Sequence, residues 1–489
     1  DITIATSSAA TTINADHDGD TITVNAASLA DNTALNISGD SNFVVDAFKG
    51  NLDADNGTGS LTVTLADASN ILLDVDRATS VSGDALGDGN ELQLRGSGDV
   101  TITGMSGDID ASVSGEAALT GDLTVTTKAI EGQTGAPAMF IDTGTGSTTV
   151  DGDDKDDVDT ETIDIVVDAS AMADTDDATV LNLGGDAEYR LVNNTAPATG
   201  KVQVDLTNAD SDGLIDLTGS GEYDLIETTT NIEAGNASGP LTITSRVASG
   251  DTFEVTAGTG DLTVDAANAA DDLTIVATQL SDDLNDAEVS GGSVVGNDSG
   301  DSYELTVEGP GAITVTELGA DLDAASHSGD LVATLKSTIT GINDVDIKLN
   351  SADATIDNAG NGVTLDATQM GSGDTATLEG SGASEVINLQ AGTTIDGQSS
   401  LTGTLDVYTG ALSSGDTATV KTGAGKTLVE GSGTGATLLV VADALTNAAG
   451  SDDLTLRGNT QFTVTALGAD LLATGSTGFI NVTTESGDS

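Results

Sequence analysis

Leu92-Gln93-Leu94-Arg95-Gly96-Ser97-Gly98-Asp99-Val100-Thr101-Ile102-Thr103 reads as strand, turn, strand. Apolar side chains recur two apart on either side of the turn, the period of a strand with one buried face. β-Branched Thr and Val suit a pleated surface. Gly, Ser and Asp accept the tight or left-handed backbone of a turn. The same texture returns in Leu61-Thr-Val63-Thr-Leu65, Leu123-Thr-Val125-Thr, Leu241-Thr-Ile243-Thr and Phe462-Thr-Val464-Thr.

Aligning the chain on Gly96 brings out five frames, anchored at Gly39, Gly96, Gly219, Gly309 and Gly458. Two residues before the anchor stand Ile37, Leu94, Leu217, Val307 and Leu456; six after it stand Val45, Ile102, Leu225, Val315 and Val464. Fifteen after it alanine is constant, at Ala54, Ala111, Ala234, Ala324 and Ala473. A second glycine then opens another strand, at Gly59, Gly121, Gly239, Gly329 and Gly478. Looser copies centre on Gly185 and Gly380. A recurrence of roughly 20 residues fits one coil of an elongated, all-β, β-helix-like solenoid, in which each coil stacks on its neighbours. Tandem β-sandwich domains, the alternative, repeat at roughly 100 residues, and the uneven anchor spacing favours the solenoid. The small alanine marks where a coil bends inward. Helical periodicity is scarce; the Ala-rich pieces at 26–31 and 441–449 suit single turns. An acidic, Gly-rich seam at 132–162 separates an N-terminal repeat region, 1–131, from a C-terminal one, 163–489. A second seam is expected near 284–302.

Lys and Arg number 13 against 80 Asp and Glu, a formal net charge of -67. Nucleic-acid binding needs a basic footprint, which this chain lacks. Docking on anionic lipid is disfavoured for the same reason, and no apolar run approaches the roughly 20 residues of a membrane span. Such a charge opposes compaction unless cations screen or bind it. Asp clustered with Gly and Asn in turns is what a hard, oxygen-seeking cation such as calcium requires. A solvated surface that keeps a β-protein soluble, or adaptation to high salt, accounts for the same acidity. Aromatics make up 2% of the chain and Trp is absent, so the buried surface must come from many small aliphatic side chains. Cysteine is absent too, which removes disulfides, thiolate metal sites and cysteine nucleophiles together. A first residue Asp1 rather than Met suggests a processed product or a piece of a longer precursor.

The run from Leu92 to Gly104, with Gly121-Asp-Leu-Thr-Val-Thr-Thr127 after it, resembles the strand repeats of very large bacterial surface proteins. These include calcium-dependent S-layer proteins and type I-secreted adhesins related to the RTX group. The resemblance implies an extracellular or cell-surface setting in bacteria, calcium-assisted folding and self-association. The tandem Gly-Gly-x-Gly-x-Asp nonapeptide of RTX proteins is absent; Gly87-Asp-Gly-Asn90 and Gly258-Thr-Gly-Asp261 only echo it.

Two acidic clusters are the candidate calcium ligands. Asp16, Asp18 and Asp20 alternate as at the start of an EF-hand loop, but Thr21 stands at the turn glycine and Ala27 at the bidentate Glu. Asp151, Asp153, Asp154, Asp156, Asp157 and Asp159 form the densest acid in the chain. Each cluster reads equally as a solvated acidic turn. Asp31, Asp84, Asp88 and Asp298 are weaker candidates. Catalysis finds little support. His17 and His327 are the only histidines, and neither has a local acid–serine arrangement; His327 reads as a surface turn residue. Paired carboxylates for glycoside cleavage abound, yet sugar clefts usually display the aromatics this chain lacks. The leading expectation is a non-enzymatic structural protein. It self-assembles into a surface layer, sheath or filament, with cell-surface polysaccharide as a further partner. A passive adhesin stalk is the alternative, and a polysaccharide-active β-helix enzyme a remoter one.

Overall fold

The computed structural model describes residues 2–484 except 55–56, 88, 113–117, 131–136, 155–162, 173–178, 197–199, 211–212, 247–251, 281–304, 338–344, 350–351, 411 and 447–452. The chain is an all-β parallel β-solenoid of about 19 turns, with no helix among the described residues. It divides into two compact units, Asp1–Thr242 and Ile243–Ser489.

In the N-terminal unit, alternate strands belong to two parallel ladders. One begins Ile2–Ala5, Thr21–Asn25, Asn42–Phe48, Leu61–Leu65. The other begins Thr11–Asn14, Ala34–Ser38, Asn51–Ala54, Asn70–Val75. Ile22 faces Phe43 and Val24 faces Val45, so each coil lays its apolar positions over those of the last. The C-terminal unit repeats the pattern. There Thr427–Gly431, Leu454–Gly458 and Leu471–Ser476 stack in one ladder, and Thr437–Val441, Gln461–Leu467 and Ile480–Thr484 in the other. Every strand pairing described is parallel, which excludes the tandem-sandwich alternative, since sandwiches are antiparallel.

The alternation read from the sequence decides what faces inward. Val24, Phe43, Val45, Leu61 and Val63 are buried, while the Thr residues between Leu61 and Leu65 are exposed. Burying such a side chain contributes about 1.5–3 kcal/mol. The column continues on the next coil, so no thick aromatic core is needed. Ala54, Ala111, Ala234 and Ala324 are fully buried where the coil turns in.

The anchors have a steric cause. Gly96 has φ +99°, a left-handed conformation that costs any L side chain. A Cβ there would overlap the Val75 carbonyl oxygen of the preceding coil and lie 2.7 Å from its carbon. The other four anchors share the positive φ, as do Gly185 and Gly380. The residue before the second glycine also carries a repeated bond. Thr120, Ser238, Ser328 and Thr477 donate their N–H groups to the carbonyls of Gly96, Gly219, Gly309 and Gly458 at 2.7–2.9 Å.

The Ala-rich piece at 26–31 forms a single hydrogen-bonded turn, Leu29 N–H to the Ala26 carbonyl at 2.9 Å. In the other, Val441 ends a strand, and 447–449 lie outside the described residues. Of the expected seam at 132–162, Met139–Asp142 and Thr148–Asp154 are ordinary rungs of the N-terminal unit. Residues 132–136 and 155–162, and the whole of the second seam, lie outside the described residues.

Candidate cation-binding surface

Outward positions stack as strictly as inward ones, so an acidic residue on one coil meets its counterpart roughly 4.8 Å away on the next. Where a cation falls in register it pairs. Arg190 donates to Asp216 at 2.6 Å, Lys348 to Asp323 at 3.0 Å and Lys421 to Asp396 at 2.7 Å, each directly across a rung. Lys348 also faces Asp366 on its other side. The scarce basic residues are thus distributed along the ladders rather than gathered in a patch.

A column that the sequence did not suggest is Asp110, Asp142 and Asp168. Each ends a strand, and the register places them one above another on three successive coils. Asp110 accepts from the Ser112 backbone N–H at 3.0 Å, and Asp168 from that of Ser170 at 2.9 Å, an Asx turn that pins each carboxylate. The central carboxyl of Asp142 is pushed up to about 6 by burial first, then by the charges of Asp168, Asp110, Glu91 and Asp108. Only the register reveals this grouping, because the three residues share no local motif beyond an apolar residue before the Asp.

The sign of the pH effect follows. An unfolded carboxyl releases its proton near 3.8, the folded Asp142 near 6. In that window the folded state binds more protons, so the contribution is fully present below 3.8 and is lost as pH rises through 6. Asp142→Asn is expected to melt later than wild type at pH 7 and to converge with it toward pH 4. Thermal melts across that range check this, and a constant difference between the two proteins would rule it out.

Asp16, Asp18 and Asp20 lie exposed in the turn between Thr11–Asn14 and Thr21–Asn25. Asp20 reaches His17 Nδ1 at 3.3 Å, which uses one candidate ligand internally. Asp151 and Asp153 face outward from Thr148–Asp154, with the buried Gly152 between them. They line a groove of roughly 480 Å³ with Thr126, Thr127, Asp186 and Asp210. Beneath it the Tyr189 hydroxyl donates to the Gly184 carbonyl at 2.6 Å and accepts from the Gly152 N–H at 2.9 Å. Asp154 pairs in register with Ile130 at the strand's end. Asp156, Asp157 and Asp159 lie outside the described residues, as do Asp88 and Asp298. Asp31 approaches Lys49 at 3.7 Å, and Asp84 accepts from the Ser82 hydroxyl at 3.2 Å. Among the described residues no group of three or more His, Asp or Glu side chains is arranged to hold a metal ion.

His327 is not a surface residue. It is 1% exposed, bridges in parallel to Gly309, and sets its ring nitrogens 3.4 Å from the Glu308 carbonyl and 3.5 Å from the Asp330 carbonyl. Burial pushes its pKa down and favours the neutral ring. The turn before Gly329 looks solvent-facing in sequence, but the coil corner points this ring inward.

Comparison with protein-family models, with curated proteins and with solved structures gives no match to this chain.

Proposed function

We propose that the chain is a structural protein of the cell exterior, a repeating component of a surface layer, sheath or matrix filament, and not a catalyst. Calcium is the proposed counterion of its outer carboxylates. The observation that carries this reading is the in-register stacking of outward acids, typified by Asp110, Asp142 and Asp168. Coil after coil, the chain builds a regular surface whose repulsion falls when cations gather along it. No single chelating cage is needed, because a cation between rungs screens two coils at once. The resemblance of the strand repeats to S-layer proteins and RTX-group adhesins supports the same assignment.

Calcium at low ionic strength is expected to raise the melting temperature and the average mass in light scattering, and EDTA to reverse both. Potassium chloride at matched ionic strength separates general screening from divalent binding. Melting and mass unchanged by EDTA would remove calcium from the proposal. A monomer at every calcium concentration would instead favour the passive stalk.

A further inference from the structure

Phe140 departs from the pattern that puts large apolar side chains inside this stack. Phe43, Phe48, Phe253 and Phe462 lie in the core, and Met139 and Ile141 on either side of Phe140 are fully buried. Phe140 itself faces outward and is 48% exposed. It stands in register with Val166 on the next coil, which also faces outward, between the buried Ile165 and Val167. On the preceding coil Asp108 is the next position of the same parallel register, and its carboxylate accepts the Phe140 N–H at 2.9 Å. The column of Asp110, Asp142 and Asp168 runs alongside, two residues further along each strand. An aromatic ring and a valine thus lie on an open sheet face, bounded by four carboxylates. The strands Asp108–Asp110, Met139–Asp142 and Ile165–Asp168 contain no basic residue. Arg190, on the coil after them, is held by Asp216 at 2.6 Å.

We propose that this face docks an extended, arginine-bearing segment of another protein, with a guanidinium laid on the Phe140 ring and its N–H groups turned to the carboxylates beside it. Charge complementarity selects the occupant. The face of an aromatic ring attracts a cation, and the surrounding carboxylates add to the field. The chain uses the same pairing internally, where the Arg77 guanidinium lies 5.8 Å from the centre of the Phe43 ring. Arginine suits the site better than lysine, because a planar group stacks on a ring and donates at its edge at the same time. Val166 extends the apolar floor under the arginine stem. A second copy is a poor occupant, since a chain of net charge -67 holds only 13 Lys and Arg. A neutral saccharide would stack on the ring but leave the repulsion among the carboxylates in place. The contact goes beyond the structural assignment above, because it requires neither self-assembly nor calcium.

Fluorescence anisotropy at physiological ionic strength tests this with a labelled peptide of three arginines spaced by glycines, its lysine counterpart and a labelled neutral glucan oligosaccharide. Wild type is expected to bind the arginine peptide, the lysine peptide more weakly and the saccharide not at all. Phe140→Ser changes no charge and, at an exposed position, should melt as wild type does; it is expected to weaken the arginine peptide about fivefold. Asp142→Asn is expected to weaken it about threefold. Asp46→Asn removes the same charge from an exposed position of the other ladder and should bind as wild type does. Asp142, faced by Asp168, Asp110, Glu91 and Asp108, has its carboxyl pushed up to about 6, and a guanidinium beside it favours the ionised form. Wild-type affinity should therefore rise between pH 5 and 7, and that of Asp142→Asn should stay level. Phe140→Ser binding as tightly as wild type would reduce the effect to the general acidity of the chain and overturn the docking face. A level wild-type pH profile, no binding of the arginine peptide, or binding of the saccharide in its place would overturn it equally.

Discussion

Gly96→Val is expected to disrupt the coil stack of the N-terminal unit, with a loss of more than about 4 kcal/mol, the range in which a single substitution has a specific steric cause. Two separate costs meet at this position. The backbone sits at φ +99°, where an L side chain costs about 1–2 kcal/mol and a β-branched one more. The new Cβ also overlaps the Val75 carbonyl oxygen and lies 2.9 Å from the Val75 nitrogen. Both are backbone atoms, so no rotamer change relieves the overlap and the coils must part. That separation reaches further, because the Val75 carbonyl accepts the Gly98 N–H and the Gly96 carbonyl accepts the Thr120 N–H, both at 2.9 Å. In a stacked-coil protein each coil is stabilised by its neighbours, so loss at one rung weakens the coils on both sides. Gly19→Ala separates the two costs. Gly19 has φ +86° with nothing within 4 Å of a built Cβ, so only the backbone term of about 1 kcal/mol applies. Urea unfolding followed by circular dichroism gives the ranking, and hydrogen exchange in Asn70–Val75 and Glu91–Arg95 locates the damage. Equal midpoints for Gly96→Val and wild type would contradict the stacking described.

The anchor glycines were legible in sequence because their constraint allows only one residue type. What recurs eight residues after each anchor was not. Ala47, Glu227, Glu317 and Ala466 all adopt left-handed φ between 53° and 56°, and Gly104 does so in the remaining frame. The strand register shifts there, between Val45 and Phe48 and again between Val464 and Leu467. This is a β-bulge, one extra residue that moves the next inward side chain by a position. Alanine and glutamate do not advertise such a backbone, since packing on both sides imposes it against their preference. The acidic surface divides in the same way. That carboxylates crowd the turns was plain from composition. Which of them stack depends on loop lengths that place Asp142 over Asp110, and those lengths have meaning only once the ladders are known. His327 shows the limit most clearly, because a turn residue in sequence becomes a corner filler when coils close on one another.

Arg77 offers the other large effect, and it tests how a lone cation is held inside such a stack. Its side chain is 4% exposed. Nε donates to the Ala54 carbonyl at 3.2 Å, and Nη1 to those of Gly39 and Gly59 at 3.4 Å. The guanidinium lies 5.8 Å from the centre of the Phe43 ring. Burial lowers its pKa, offset in part by Asp40. The planar fork reaches carbonyls on two preceding coils at once, which a single ammonium does poorly. Arg77→Ala leaves these carbonyls short of a donor and opens a void beside Phe43, for a loss of about 3 kcal/mol. Arg77→Met refills the space and spares the desolvation of an ion, so its loss is expected at about 1–2 kcal/mol. Arg77→Lys keeps the charge but not the fork, and should fall nearer to alanine than to methionine. The order Met, Lys, Ala in urea midpoints therefore separates hydrogen bonding from charge. If lysine instead matches wild type, charge near Asp40 is what matters at this corner, and the carbonyl bonds contribute little.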